Sequence, residues 1–387
     1  MQSLIVILDQ HAVAFCHYDN PTAGAPRPRW MGLDVLQAAV RFAQEKGLSL
    51  IYLLGRHPLH KAHVRAIART EHTQVVPFAA YRGGRDAVPV LEAVDVPAAA
   101  RIRAGGDGNA ILRVGRSAVP QLASTVARLA GRFKRLNICL ADLAAYAQAD
   151  IEAYRQQLDE LVGIVSKLSQ TNGGLECSIL TDRLLLREMR NCAAGIEHVT
   201  VAPNGRFYLC PGFYYRDEAD TIGCLQDGLH IRNAQLLTAD HAPICRRCDA
   251  YHCRRCLLLN KALTDEINTP SWEQCVTAHH EREASRALLG LLRQRGRVVG
   301  ALQTGDIPPL NYCDPFELVH LTGGQPARQG ADDSGSPGQK ALGDGPVMEE
   351  VNTLRQMVLE LRASQQQILQ EISQLRKERL REEQETK

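Results

Sequence analysis

The sequence predicts an α/β protein with a parallel sheet in its first part, a cysteine-rich segment after it and a coiled-coil tail. Three observations lead to this prediction. Short apolar runs alternate with amphipathic stretches over residues 1–198, cysteines crowd residues 199–290, and a heptad pattern begins at Val347. Strands that alternate with helices form parallel sheets, because each helical crossover returns the chain to the same end of the sheet. We therefore expect an open sheet or a partial barrel.

Six apolar runs in the first part are predicted to be strands, and three amphipathic stretches are predicted to be helices. The first helix shows the pattern well, because Leu36, Val40 and Ala43 share one face and Gly47 supplies a stop. The predicted strands cover 3–8, 50–54, 74–77, 109–114, 136–140 and 176–180, and the predicted helices cover 33–46, 118–132 and 150–170.

The cysteine-rich segment is predicted to contain a β-hairpin and a long helix. Asn204 and Gly205 are typical of the tight turn of a hairpin, here over 199–210, because this pair readily adopts left-handed backbone conformations. A helix rich in arginine and leucine is expected over 271–295.

The C-terminal residues divide into a predicted linker and a predicted coiled coil. Residues 323–346 are rich in Gly, Pro, Ser and charge, so they cannot bury a core. After them, apolar residues follow alternating spacings of four and three, which forms a heptad seam of about four repeats. The seam positions are Val347, Val351, Leu354, Val358, Leu361, Gln365, Ile368, Ile372 and Leu375. Residues 347–387 are therefore expected to mediate self-association or docking to a partner.

Composition and charge bear on the cellular location of the protein and on the classes of partner it binds. The formal net charge is +2, which gives no argument for nucleic acid or a membrane surface as a partner. The apolar run at the N-terminus has no basic residues before it and is interrupted by Asp9, so no signal peptide is predicted. No stretch reaches the roughly 18 apolar residues of a membrane span. We expect a cytoplasmic location, where thiols stay reduced, and twelve cysteines then indicate metal binding rather than disulfides.

Two CxxC units, four residues apart, predict a metal site. The cysteines are Cys245 and Cys248 in the first unit, Cys253 and Cys256 in the second, and Cys275 after eighteen further residues. A spacing of two residues allows both sulfurs to face one ion, and four thiolates suit Zn²⁺ or an iron–sulfur cluster. The arginines between the cysteines offset thiolate charge or face an acidic partner. Cys210 and Cys224 lie upstream, so the segment has more thiolates than one four-ligand ion uses.

This cysteine pattern resembles the SPASM domain, which is the auxiliary iron–sulfur extension of radical SAM peptide-modifying enzymes. The fuller string from Asn191 onward is similar to the family called CXXX repeat peptide maturase, over about 90 residues. The matching segments are NCAAGIEHVTVAPNGRFYLCPGFYY, PICRRCDAYHCRRCLLLNKALTDEINTPSWEQC and HHERE. The resemblance implies a role in maturing ribosomally made peptides that bear repeated Cys-x-x-x units, alongside a genuine radical SAM enzyme.

The resemblance also implies a ligand set and a domain organisation. The implied ligands are Cys245, Cys248, Cys253 and Cys275 for one [4Fe–4S] cluster, with zinc as the alternative, and Cys256, Cys210 and Cys224 for a second site that is one ligand short. The implied domains are a degenerate radical-SAM-like partial (β/α) barrel over 1–198, a SPASM-like domain over 199–290, an extension and linker over 291–346 and the coiled coil over 347–387.

The cysteine triplet of radical SAM enzymes is absent from the sequence. These enzymes hold their SAM-binding cluster with C-x3-C-x2-C after the first strand, whereas this chain has only Cys16 there. Reductive cleavage of S-adenosylmethionine is therefore not expected. Cys16 and His17 form a candidate site with Asp19 at the strand end, where α/β folds place ligands. Cys139 lies in an apolar strand and is predicted to be part of the core.

An iron–sulfur accessory protein is the function expected from these features, one that binds the precursor peptide, the radical SAM maturase or both. Two alternatives stay open. The chain is a peptide-modifying enzyme if an auxiliary cluster with an open coordination position, or the Cys16 loop, acts on peptide cysteines. It is a zinc-stabilised peptide-binding scaffold if the thiols hold zinc.

Overall fold

A computed structural model of the chain describes residues 1–296, apart from 24–25, 28, 104–107, 170–173 and 190–191. The linker and the coiled coil predicted over 323–387 lie outside these residues. Among the helices that are described, none combines the length and the apolar character needed to cross a membrane.

Nine strands of the described chain form one sheet, and two more form a separate hairpin. The strands are β1 Ser3–Ile7, β2 Ser49–Leu53, β3 His72–Pro77, β4 Ala87–Leu91, β5 Asn109–Val114, β6 Arg135–Leu140, β7 Glu176–Cys177, β8 His198–Val201, β9 Phe207–Tyr208, β10 Gly223–Cys224 and β11 Gly228–Leu229. The large sheet has the order β7-β6-β5-β4-β3-β2-β1-β8-β9. All neighbours in it are parallel except β8 and β9. The first seven strands thus follow chain order, as in a (β/α) barrel, within an open sheet.

Helices connect most of the parallel strands. The α-helices of the described residues are α1 Leu33–Lys46, α2 Lys61–Ile67, α3 Val96–Ala99, α4 Leu122–Leu129, α5 Gln148–Leu168, α6 Ser178–Leu185, α7 Pro211–Arg216, α8 Leu257–Thr264 and α9 Trp272–Gln294. The predicted parallel α/β architecture is therefore confirmed. β8 and β9, which begin the predicted 199–290 domain, belong to the same sheet as β1 to β7.

The interior strand β1 is buried on both faces. Leu4 and Val6 belong to the core that includes α1, whereas Ile5 and Ile7 belong to the larger core on the other face, which includes α4 and α5. A strand covered on both faces is apolar along its whole length. This explains why the N-terminal run is continuous rather than alternating.

Local signals in the sequence correctly predicted several elements. The helix predicted over 33–46 is α1, and Gly47 ends it with a φ of 64°. The hairpin turns at Gly205, whose φ is 74°, and joins β8 to β9. α9 begins after Ser271, whose side chain accepts a hydrogen bond from the backbone N–H of Gln274. Each of these signals acts within a few residues of the element it bounds.

The strand predicted over 176–180 is wrong beyond its second residue, because α6 begins at Ser178. The Thr181 hydroxyl donates to the carbonyl oxygen of Cys177 at 2.8 Å and accepts from its N–H at 3.0 Å, so it satisfies both backbone groups of that residue. The Ser178 hydroxyl accepts the N–H of Ile138 at 2.9 Å. A side chain thereby replaces the carbonyl that a longer β7 would have offered to β6.

The helix predicted over 118–132 forms only in its second part. Residues Arg116–Gln121 form a 3₁₀ turn that contains Pro120, and α4 follows from Leu122 to Leu129. Proline has no backbone N–H to donate and restricts the residue before it. The regular helix therefore begins after the proline.

Candidate metal centres

Four cysteines of the predicted ligand set line one cavity. Cys245 begins the 3₁₀ turn Cys245–Arg247 and Cys248 ends it, whereas Cys253 lies in the loop that follows and Cys275 lies in the first two turns of α9. The backbone N–H of Cys248 bonds the carbonyl of Cys245 at 3.0 Å, which closes the tight knuckle that a CxxC spacing predicts. All four thiols are free.

Burial and mutual repulsion raise the pKa values of these thiols. Burial raises the pKa of Cys245 to about 11 and that of Cys275 to about 12, and neighbouring thiols add to both rises. Burial and the nearby Cys245 also raise the pKa of Cys253. The metal-free protein therefore holds protonated thiols here at neutral pH. A bound cation stabilises the thiolates and releases their protons.

The surroundings of the cavity fit a thiolate-ligated group. Apolar residues such as Met189 and Ile244 form part of the remaining wall, and Arg255, Gln274 and His279 also line the cavity. Four thiolates are the donor set of a [4Fe–4S] cluster and also of a structural zinc ion, so the donor chemistry fits either. The Nε2 atom of His279 lies 3.4 Å from the Cys248 sulfur. Burial and the nearby Arg282 lower the pKa of His279 to about 4, so this imidazole is neutral at neutral pH.

A buried ion-pair network anchors the loop between the two CxxC units. Asp249 accepts hydrogen bonds from Arg183 of α6 at 2.9 Å and from Arg282 of α9 at 2.7 Å. The side chains of Asp249 and Arg282 are 5% exposed and that of Arg183 is 1% exposed. The Arg183 guanidinium also lies 4.8 Å from the centre of the Tyr251 ring. These contacts fix the loop that carries Cys248 to two helices of the α/β core.

Cys256 lines a second cavity of about 380 Å³ together with Cys210, and the resemblance implies these two residues as ligands of one site. Cys192 and Cys16 line the same cavity, and burial together with all three neighbouring thiols raises the pKa of Cys256. Cys192 was not predicted as a ligand, although it stands near the start of the segment that carries the family resemblance. Cys224 lies in β10, where its thiol donates to a carboxylate of the same hairpin at 3.1 Å, and is not among the residues that line this cavity.

A third group of candidate metal ligands lies at the carboxyl end of the parallel strands. Cys16, His17 and Cys139 each place one donor atom within 4.8 Å of the other two. A hydrogen bond to the Cys139 sulfur and burial raise the pKa of Cys16 to about 12. Burial raises the pKa of Cys139, but the same hydrogen bond and the charge of Arg254 outweigh it, so that pKa is lowered. The predicted partner Asp19 instead pairs with an arginine of β5 at 2.6 Å.

The four arginines between the cysteines take two different roles. Arg254 donates to the Cys16 sulfur at 3.3 Å, and Arg255 is buried and donates to the carbonyl of Leu237. Arg246 and Arg247 are exposed and line a groove of about 460 Å³ that Cys245 and Cys248 also line. The first pair therefore holds the loop in place, and the second pair presents positive charge beside the four-cysteine cavity.

No family model matches the chain, and no curated protein matches it. The solved structure of histidine-tagged anSMEcpe with bound AdoMet has a TM-score of 0.49 at 11% identity, covering 76% of this chain and 94% of that chain. Native anSMEcpe with AdoMet and the Cp18Cys or the Kp18Cys peptide gives TM-scores of 0.46 and 0.45 at 10% identity, covering 76% of this chain and 98% of those chains. With TM-scores below 0.5, these similarities assign neither a family nor an activity to this chain.

Proposed function

We propose that this chain is an iron–sulfur accessory protein in the maturation of ribosomally made peptides with repeated Cys-x-x-x units. The observation that carries the proposal is the arrangement of Cys245, Cys248, Cys253 and Cys275 around one cavity. These four residues would hold a [4Fe–4S] cluster, which supplies one-electron transfer when bound. The substrate class comes from the resemblance of the cysteine-rich segment to CXXX repeat peptide maturases.

The groove lined by Arg246 and Arg247 is proposed to bind the precursor peptide or the radical SAM maturase. Exposed guanidinium groups attract acidic segments over several ångströms. Cys245 and Cys248 line both this groove and the four-cysteine cavity. A peptide or partner bound in the groove would therefore lie next to the cluster. The radical SAM partner supplies the radical chemistry, since this chain has only Cys16 where those enzymes have three cysteines.

A second cluster site is proposed in the 380 Å³ cavity, with Cys256 and Cys210 as ligands and Cys192 as an addition to the predicted set. Cys224 stays a predicted ligand. It would join this site only if the β10–β11 hairpin, where its thiol is now hydrogen-bonded, moved towards the cavity.

The test of the cofactor is metal and sulfide analysis with an absorption spectrum, on full-length protein purified without oxygen. A double variant, Cys245→Ala with Cys248→Ala, is compared with wild type and with Cys177→Ala, a buried cysteine outside all three groups. We expect about four iron and four sulfide per chain for each occupied cluster site. The double variant should hold about four fewer of each than wild type, and Cys177→Ala should match wild type. Zinc in place of iron, without a chromophore and lost in the double variant, would refute the redox role and leave a zinc-stabilised scaffold.

The test of the groove is the binding of a labelled synthetic peptide of Cys-x-x-x repeats, followed by fluorescence anisotropy. Arg246→Ala with Arg247→Ala removes two positive charges from the groove. Arg65→Ala with Arg69→Ala removes two exposed positive charges at α2 and serves as the matched control. Affinity should fall in the first variant, more steeply at low salt, and stay unchanged in the second. Equal affinities in both variants would remove the groove from the proposal.

A further inference from the structure

The Cys16–His17–Cys139 group joins two parts of the sheet that are far apart in strand order. Cys16 and His17 follow β1, whereas Cys139 is in β6, and four strands separate β1 from β6. The loop after β1 therefore crosses the carboxyl ends of the intervening strands to reach β6. The donor atoms still lie within 4.8 Å of one another, which is the scale of the ligand shell of one ion.

A buried arginine of β5 holds this loop in place. Arg113 donates from Nε to the carbonyl of Cys16 at 3.2 Å and from Nη2 to the carbonyl of Tyr18 at 3.0 Å. It also pairs with Asp19 at 2.6 Å, and its own side chain is 8% exposed. Arg113 thus holds the backbone on both sides of His17 in place. A site whose ligands are positioned before the ion arrives binds that ion with a smaller loss of conformational entropy.

The atoms around the group satisfy the requirements of a metal's outer shell. The Nδ1 atom of His17 lies 2.8 Å from the carbonyl of Leu140 and 3.5 Å from the Cys139 sulfur. Because Nδ1 bonds this carbonyl, Nε2 is the nitrogen left to bind an ion, and the bond orients the ring. Arg254 donates to the Cys16 sulfur at 3.3 Å, which favours the thiolate. Both cysteines are free thiols. Two thiolates balance the charge of one divalent ion, so a neutral metal site replaces two buried thiols.

We propose that Cys16, His17 and Cys139 bind one divalent ion of the zinc class, separately from the four-cysteine cluster. Two sulfurs and one imidazole nitrogen are donors that zinc prefers, and three protein ligands leave one position of a tetrahedral ion open. Cys16 and His17 also line the 380 Å³ cavity, so the open position adjoins a space large enough for an external ligand. This proposal does not rest on the identity of the peptide or on the cluster.

Cys16 could instead be a ligand of a cluster in the 380 Å³ cavity. Variants of Cys139 distinguish this assignment from the proposed zinc site. Cys16 also lines the cavity with Cys192, Cys210 and Cys256, so it is placed to serve as the fourth ligand of a cluster there. Cys139 is not among the residues that line that cavity. Removal of Cys139 therefore affects an ion at the proposed site and leaves a cluster in the 380 Å³ cavity intact.

The experiment measures zinc and iron on the same full-length samples. Protein is reconstituted with iron and sulfide without oxygen, equilibrated with Zn²⁺ against a competing chelator, and analysed by mass spectrometry for both metals. Cys139→Ser and His17→Gln are compared with wild type and with the buried-cysteine control Cys177→Ser. We expect one tightly bound zinc ion in wild type and in Cys177→Ser, an affinity at least about 100-fold lower in the two site variants, and equal iron in all four.

Cobalt supplies a second readout that does not depend on stoichiometry. Co²⁺ added to the reconstituted wild type should give thiolate-to-cobalt charge-transfer absorption that is lost in His17→Gln. This variant alters a half-buried side chain, so it tests the site even where Cys139→Ser fails to fold. Equal zinc in wild type and in both site variants would overturn the proposal. A loss of iron instead of zinc in Cys139→Ser would also overturn it and assign these residues to a cluster.

Discussion

Removal of the Asp249 carboxylate is expected to destabilise the chain more than any surface charge change. Asp249 joins Arg183 and Arg282 beneath the loop that separates the CxxC units, and all three side chains are at most 5% exposed. In Asp249→Ala, the Arg183 guanidinium stays buried without this carboxylate, whereas Arg282 keeps an ion pair with Glu283 at 2.9 Å. Breaking a buried pair by removing one partner costs about 3–5 kcal/mol, because the remaining charge is neither solvated nor paired.

The matched control is Asp220→Ala, which breaks a pair of similar length at the surface. Asp220 contacts the ammonium group of Lys261 at 2.6 Å, but the lysine side chain is 41% exposed. Solvent screens this pair and hydrates the partner that is left behind, so the expected loss is about 0–1 kcal/mol. Both variants remove the carboxylate of an ion pair. They differ in burial and also in the partners, because Asp249 pairs with more than one arginine and Asp220 with one lysine.

The assay is urea unfolding of the reduced, metal-free protein, followed by far-ultraviolet circular dichroism. We expect the free energy of unfolding of Asp249→Ala to lie at least about 2 kcal/mol below that of Asp220→Ala. Iron loading of Asp249→Ala should also fall, because Cys248 and Cys253 flank the loop that the network holds. A difference below about 1 kcal/mol between the two variants would refute the role of burial.

Three further expectations concern packing and pH. In Gly212→Ala the added Cβ would lie 2.7 Å from the Cβ of Tyr18, so unfolding should show a loss of about 1–3 kcal/mol. Gly163→Ala in α5 meets no atom within 4 Å and should gain about 0.5–1 kcal/mol; a loss would contradict this. Burial holds the pKa of His279 at about 4, below the unfolded value of about 6.5. Since the unfolded chain then binds the extra proton, stability of the metal-free protein should fall as pH drops from 6.5 to 4, by up to about 1.4 kcal/mol per pH unit. This slope should be smaller in His279→Gln, and equal slopes would contradict the assignment.

The elements that were predicted correctly are specified by residues within the element or within a few residues of its ends. β5 matches the run predicted over 109–114, and Gly47 ends α1 as its left-handed conformation requires. Elements decided by distant partners were missed. The strand after residue 177 gives way to α6 because Ser178 bonds β6, which the sequence does not reveal. β4 was also not predicted, and it contains Pro89, a residue that is unfavourable inside a strand.

The candidate sites also differ in whether a local sequence pattern predicts them. Two residues separate Cys245 from Cys248, so their common cavity was expected from spacing alone, whereas the ligand role of Cys275 was predicted from the family resemblance. Cys139 was predicted as core, and its burial confirms this. Its position against His17 depends on how the loop after β1 crosses the sheet, over a separation of 122 residues. No local pattern encodes such a contact, so it became visible only in the folded chain.

The position of β8 beside β1 limits where the chain can be divided into fragments that fold. β1 pairs with β2 on one side and with β8 on the other, and the fully buried Leu4 and Val6 share a core with Val199 and Val201. A fragment that stops before His198 would present β1 as an unpaired apolar edge, which is a template for aggregation. We therefore expect the cysteine-rich segment and the sheet to unfold together. A transplant of the metal-binding segment to another scaffold must supply an equivalent of β1 for it to pair with.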